Sequence, residues 1–354
     1  MRELLKRVRR GVKEPLQGAL ARAAVMGLDR RARTIGEIRA LEPERIVVSR
    51  TDRIGDLLVS SVMIAALKRR WPAARLVVIG GPGNRAALDG MPFAEPGPLF
   101  RRDPRSWAPL RRWLAEQQFD IAMSLQAESV AGAMIAAWSR APVRMITHET
   151  KVSAAFNFVF GPEERHHVSR FCRAAEQLGA PCIDRRPAFE VPPASRERAR
   201  DMARAWREGG RVVGIQIPNR TSSRHESRAW PAQNIQDLAQ DLAKAGRRVV
   251  LFAFDVERPE AERIRTAVPG VEIAPPVPLL DAAALVAEVD VLVSGYTGMY
   301  HVADAVGART VLIGSAHYAE YWRALGEKHR YALAESARNV PLNVVRAAVE
   351  ELLA

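Results

Sequence analysis

One stretch narrows the possible folds more than any other: RIVVSRTDRIGDLLVSSVMIAALKRRWP, residues 45–72. Ile46, Val47 and Val48 form a short, β-branched apolar run. It has no polar face for solvent and suits a strand covered on both sides in a parallel sheet. Residues 49–56 are polar and charged with a single glycine. From Leu57 the apolar positions recur as on a helix laid against a sheet. Lys68, Arg69 and Arg70 stand where cations suit a helix C-terminus, and Pro72 stops the helix. Strand, tight loop, helix is the repeating unit of doubly wound α/β folds, whose ligands bind beyond the carboxyl ends of the strands. Asp56 thus falls at or near a helix start beside a ligand crevice. A carboxylate there either favours the first helical turn or serves chemistry, and the local pattern leaves both open.

The same alternation runs along the chain. Strands are expected at 76–79, 121–125, 143–146, 212–217, 249–254, 271–273, 289–293 and 310–313. Helices are expected at 126–138, 231–244, 258–266, 280–288, from Thr297, and at 340–353, where the last is free to return to the first domain. The proline-rich segment 186–195 reads as an interdomain linker. With 354 residues the chain exceeds one typical core. The expectation is two Rossmann-like domains, 41–190 and 191–338, facing a central cleft, with a C-terminal helix over 339–354. Gly80-Gly81-Pro82-Gly83 lacks the GxGxxG order and reads as a turn. His166 and His167 are adjacent and point to different sides of a helix, which argues against a shared metal.

Residues 1–40 form a separate, basic amphipathic extension. Leu4, Leu5, Val8, Val12, Leu16 and Leu20 recur every three or four positions, although Pro15 interrupts them. Residues 1–35 carry ten basic against three acidic side chains, over half of a net charge of +13. Such a helix either lies on an anionic membrane surface or packs on the first domain with its basic face solvated. No apolar run is long enough to span a bilayer, and no signal peptide with a cleavage site is evident. Cys172 and Cys182 show neither metal-ligand spacing nor a disulfide framework, as in a reducing compartment. The charge surplus is concentrated at one end and no nucleic-acid module is recognisable, so nucleic acid is not the expected partner.

Two further stretches carry candidate chemistry. In VDVLVSGYTGMYHVADAVG, residues 289–307, a buried strand again runs into a polar loop and a helix. Thr297 is placed to cap that helix, and the N–H groups of Gly298 and Met299 would form an anion site. His301 lies one turn in, as a ligand donor or a structural residue. In PNRTSSRHESRAWP, residues 218–231, Arg220, Arg224 and Arg228 are either phosphate-binding forks or an exposed charged loop, with Trp230-Pro231 anchoring the next helix.

RTDRIGDLLVSSVMIAALKRRWP, SRAWP and SGYTGMYHVADAVG, in that order and spacing, resemble the glycosyltransferase family 9 heptosyltransferases over roughly residues 44–335. The resemblance implies a GT-B fold with an acceptor-binding first domain and a nucleotide-sugar-binding second domain. It implies inverting, metal-independent transfer of heptose, usually from ADP-heptose, onto a lipopolysaccharide core. By position, Asp56 matches the family's proposed general base, with Arg53 and Gly55 on the acceptor-side loop. Arg228 matches a donor-phosphate residue that is usually Lys, and Thr297, Gly298 and His301 match the donor-binding TG-x-x-H run, with Tyr296, Met299 and Arg220 beside the donor. No cofactor and no metal are implied beyond the nucleotide-sugar co-substrate. The partners implied are that donor and an anionic glycolipid, at the cytoplasmic face of the inner membrane and reached through residues 1–35. Two departures from the family pattern flank the donor loop: Tyr296 where Asp is usual, and Gly314-Ser315-Ala316-His317 where Gly-Pro-Thr is frequent. They keep two alternatives open, a non-catalytic nucleotide-sugar or glycolipid binder and a nucleotide-sugar epimerase of the same fold.

Overall fold

The computed structural model describes residues 25–126, 128–161, 164–218 and 229–354. The amphipathic stripe expected up to Leu20 of the 1–40 extension, together with Arg220, Arg224 and Arg228, lies outside them. The chain divides into two units, Met1–Arg185 and Arg186–Ala354.

The first unit is built on six parallel strands: β1 Arg45–Ser49, β2 Arg75–Ile79, β3 Glu95–Pro96, β4 Ile121–Ser124, β5 Val143–Ile146 and β6 Phe158–Val159. Their order across the sheet is β3-β2-β1-β4-β5-β6. The chain runs outward from β1 to one edge, then returns to the other side of β1, so the topology reverses between β1 and β4. The apolar run of β1 pairs on both sides, Val47 with Val77 and with Ala122. The helix Ile54–Arg70 covers one face, and Leu57, Leu58, Met63, Ile64 and Leu67 on it are fully buried. Burial of each such side chain stabilises by about 1.5–3 kcal/mol. On the helix Val130–Trp138, capped by the Ser129 side chain, Ala133, Ala136 and Ala137 join Val47, Ala122 and Ile146 in one core. That helix begins four residues later than the alanine-rich pattern suggests. Val25 joins the same core, and Ile38 is also fully buried.

The two cysteines correct the sequence reading. Cys172 lies on the helix His167–Gln177, and the turn after that helix brings Cys182 back until the Cα atoms are 5.1 Å apart. The pair is disulfide-bonded. The spacing of ten residues concealed this because helix reversal, not sequence proximity, makes the pair.

The second unit repeats the plan. Strands β7 Val212–Gln216, β8 Arg248–Phe252, β9 Val271–Ile273, β10 Val291–Ser294, β11 Thr310–Ser315 and β12 His329–Ala334 are all parallel, in the order β12-β11-β10-β7-β8-β9. The reversal here falls between β7 and β10. The helix Leu342–Leu353 packs in this unit's own core through Val345, Val349, Leu352 and Leu353. Trp230 is buried and its Nε1 donates to the Val340 carbonyl at 2.9 Å, anchoring the start of the helix Ala232–Lys244. The helix Pro193–Arg207 begins inside the expected linker. Its proline occupies the first helical turn, where a missing N–H costs nothing. Among the described residues no helix is long and apolar enough to cross a membrane.

Candidate active site

In each unit the described candidate residues gather at the point where strand order reverses. In the first unit, β1 feeds the loop 50–53 and the helix Ile54–Arg70, capped by the extended backbone of Arg53. Asp56 lies in the first turn, but no side chain makes a cap hydrogen bond there. Its carboxylate turns instead to Arg50, whose terminal nitrogen is 3.2 Å from Asp56 Oδ1. Arg50 also holds Asp52, with Nε 2.9 Å from Oδ1. Its other terminal nitrogen donates to the Leu125 carbonyl, just past β4. The guanidinium is almost wholly buried, whereas the Asp56 side chain keeps 20% of its surface open. Burial, opposed by Arg50 and reinforced by the charge of Asp56, pushes the Asp52 carboxyl up to about 6.

The neighbouring strands fix this loop. Thr51 donates through its N–H and its hydroxyl to Gln126 Oε1, at 3.3 and 2.9 Å. The buried Asn84 donates to the Arg50 carbonyl at 2.8 Å and accepts from the Gly81 N–H at 2.9 Å. The glycine-rich turn after β2 is therefore the seat of the loop: a Cβ on Gly81 would overlap the Thr51 carbonyl. His167 opens the helix His167–Gln177. Burial, with the charges of Arg170 and Arg50, pushes its imidazole far down, to about 2, so the ring is neutral. Arg53 is exposed and Gly55 is buried.

In the second unit, Gln216 ends β7 and Ser294 ends β10. Ser294 Oγ donates to Gln216 Oε1 at 2.6 Å, and Thr297 Oγ1 donates to the same oxygen. Thr297 also caps the helix Gly298–Ala305 by accepting from the Tyr300 N–H. The loop between β10 and this helix is thus tied across the reversal point, with the first N–H groups of the helix at its mouth. An anion is favoured at such an end. Gly298 is half-buried, while Met299 and His301 are buried. The His301 ring packs 5.2 Å from that of Tyr300 and 6.2 Å from that of Trp322.

The two departures from the family pattern meet here. The Tyr296 ring lies against Gly314, where a Cβ would overlap it, and its hydroxyl donates to the Ser315 carbonyl at 3.2 Å. Burial raises the Tyr296 phenol well above its usual value, so it stays neutral. Tyr318 packs 5.8 Å from it on the short helix Ala316–Trp322. The structure thus groups Arg53, Gly55 and Asp56 in one unit, and Tyr296, Thr297, Gly298, Met299 and His301 in the other. Arg50, Asp52, Gln126 and Gln216 escaped the sequence reading. The available signal was a polar residue within or directly after an apolar strand run. Among the described residues, no group of three or more His, Cys, Asp or Glu could hold a metal ion.

Comparison with known proteins bears on the fold and the family. No curated protein sequence matches the chain. A solved family 9 glycosyl transferase from Veillonella parvula is similar in fold, with a TM-score of 0.76 at 15% identity over 89% of this chain and 99% of that one. The ADP-heptose lps heptosyltransferase II of E. coli gives 0.72 at 18% identity, over 88% and 98%. The E. coli heptosyltransferase WaaC, solved with ADP, gives 0.67 at 18% identity, over 87% and 97%. The two Rossmann-like units are those of a GT-B fold. The family model "Glycosyltransferase family 9 (heptosyltransferase)" matches residues 107–345, more than half of the chain, and the protein therefore belongs to that family of glycosyltransferases.

Proposed function

We propose that this glycosyltransferase moves heptose from ADP-heptose onto the core of lipopolysaccharide, or a related anionic glycolipid, with inversion at the anomeric carbon and Asp56 as general base. The observation that carries the reading is the Arg50–Asp56 pair at the first reversal point, where doubly wound sheets take their ligands, with the carboxylate still partly open. The acceptor hydroxyl must lose its proton as it attacks, and a carboxylate within hydrogen-bond reach removes it. The departing nucleoside diphosphate gains negative charge. The N–H groups at the start of Gly298–Ala305 and the basic side chains Arg220 and Arg228 are assigned to it. His301 is assigned to the donor, Arg53 and Gly55 to the acceptor side. Tyr296 is assigned to the wall beside the donor sugar, since its hydroxyl is already used on Ser315. The basic segment 1–35 is assigned to the anionic surface on which the acceptor lies, at the cytoplasmic side of the membrane. Support also comes from the E. coli relatives, an ADP-heptose lps heptosyltransferase and a heptosyltransferase solved with ADP.

The test is transfer of labelled heptose from ADP-heptose to truncated-core lipopolysaccharide, with the anomeric configuration of product and donor compared by NMR. Inverted product supports the reading and retained configuration overturns the mechanism. Donor binding without any product would instead favour a non-catalytic binder, the reading that Tyr296 motivates.

A further inference from the structure

Each nitrogen of the Arg50 guanidinium has a close neighbour, although Nε meets Asp52 as an ion pair without hydrogen-bond geometry. Nε faces Asp52, one terminal nitrogen donates to the Leu125 carbonyl, and the other meets Asp56. A guanidinium is planar, so two fixed contacts orient the third. The backbone beneath it is equally fixed: the Arg50 N–H donates to the Ile79 carbonyl at 3.1 Å, and its carbonyl accepts from Asn84. Arg50 thus reaches elements of three neighbouring strands and presents one edge to the helix that bears Asp56. A buried cation that holds two partly open carboxylates, Asp52 with 23% and Asp56 with 20% of its side-chain surface open, is more than a surface ion pair, and of the two only Asp56 stands on the helix.

We propose that Arg50 is the positioning residue of the transfer reaction, clamped by Asp52 and the Leu125 carbonyl so that it aims the Asp56 carboxylate at the acceptor hydroxyl. The inference rests on Asp56 being the base. Arg50 touches no substrate; it acts through Asp56 alone. Asp52 acts one step further back, by taking Nε. His167 also feels the charge of Arg50, together with those of Arg170, His166 and His148, and its ring, kept neutral by burial, adds no competing charge.

An action through Asp56 has a signature that a merely structural role lacks: the effect disappears once Asp56 is gone. The experiment is steady-state transfer of heptose from ADP-heptose to truncated-core lipopolysaccharide by R50Q, R50K, D52N, D56N and the doubles R50Q/D56N and D52N/D56N. Circular dichroism serves as the check on folding. R50Q is expected to lower kcat at least tenfold with the donor KM within twofold. R50K should recover only part, since a point charge cannot hold two carboxylates in one plane. D52N should lower kcat several-fold, and it serves if the Arg50 variants fail to fold. In the D56N background neither second substitution should lower the rate further. Wild-type kcat in R50Q or D52N while D56N is slow would overturn the positioning role and leave the base intact. Equal losses with and without Asp56 would also overturn it. Wild-type kcat in D56N itself would overturn the base assignment, and the positioning role with it.

Discussion

Burial holds the proton of Asp52 up to about pH 6, well above a free aspartate, against the attraction of Arg50. The folded chain therefore binds this proton more tightly than the unfolded chain does. The stability it contributes is full below about pH 4 and is lost as pH rises through about 6. Asp52→Asn carries no such proton, so its stability relative to wild type should improve from pH 4.5 to 7.5 by no more than about 2 kcal/mol. Urea unfolding at the two pH values measures this, and an unchanged difference would contradict it. Gly314 gives a second prediction at this scale. Gly314→Ala forces the Tyr296 ring aside and should cost about 1–3 kcal/mol, an overpacking penalty that shrinks in a Tyr296→Ala background. Thermal unfolding of the four proteins of that cycle tests it. Residues whose roles are local were legible in the sequence: Thr297 caps its helix and Asp56 sits in a first turn. Gln216 was not, because its partners Ser294 and Thr297 lie 78 and 81 residues away and only strand order brings them together.

Among elements, the strand-to-helix loop after β1 owes its shape to the turn after β2. Gly81 passes so near the Thr51 carbonyl that Gly81→Ala must displace one backbone or the other. Because that loop carries Arg50 and Asp52, Gly81→Ala should reduce transfer by about tenfold or more, equivalent to at least about 1.4 kcal/mol in the barrier. Donor binding by calorimetry should be unaffected. Transfer at wild-type rate would show that the loop shape does not matter. The central strands were legible because each is a short, buried and mainly apolar run. The two-residue edge strands β3 and β6 were not, since two residues carry no period. The helix Pro193–Arg207 was hidden by its own proline, a helix start that reads equally as a break.

Across the whole molecule, the same strand order occurs twice, and in each unit side chains bridge the reversal point: Arg50 and Thr51 to residues 125 and 126, Ser294 and Thr297 to Gln216. The alternation of apolar runs made this doubling legible, whereas the disulfide between Cys172 and Cys182 was not. The proposed division of labour has a direct consequence. On that proposal ADP would bind the second unit, and at about 100 times its Kd it should stabilise that unit by up to about 2.7 kcal/mol. Amide exchange should slow in β7, β10 and the helix Gly298–Ala305, and stay unchanged in β1 and β4. Protection centred on the first unit would reverse the donor and acceptor assignments.

The most direct test of the whole account is the transfer rate of Asp56→Asn against wild type, with ADP-heptose as donor and truncated-core lipopolysaccharide as acceptor. The amide keeps the size of the side chain and removes its capacity to take a proton. The account expects a loss of about 10²–10⁴ in kcat with an unchanged melting temperature and intact ADP binding. Turnover at the wild-type rate would contradict it.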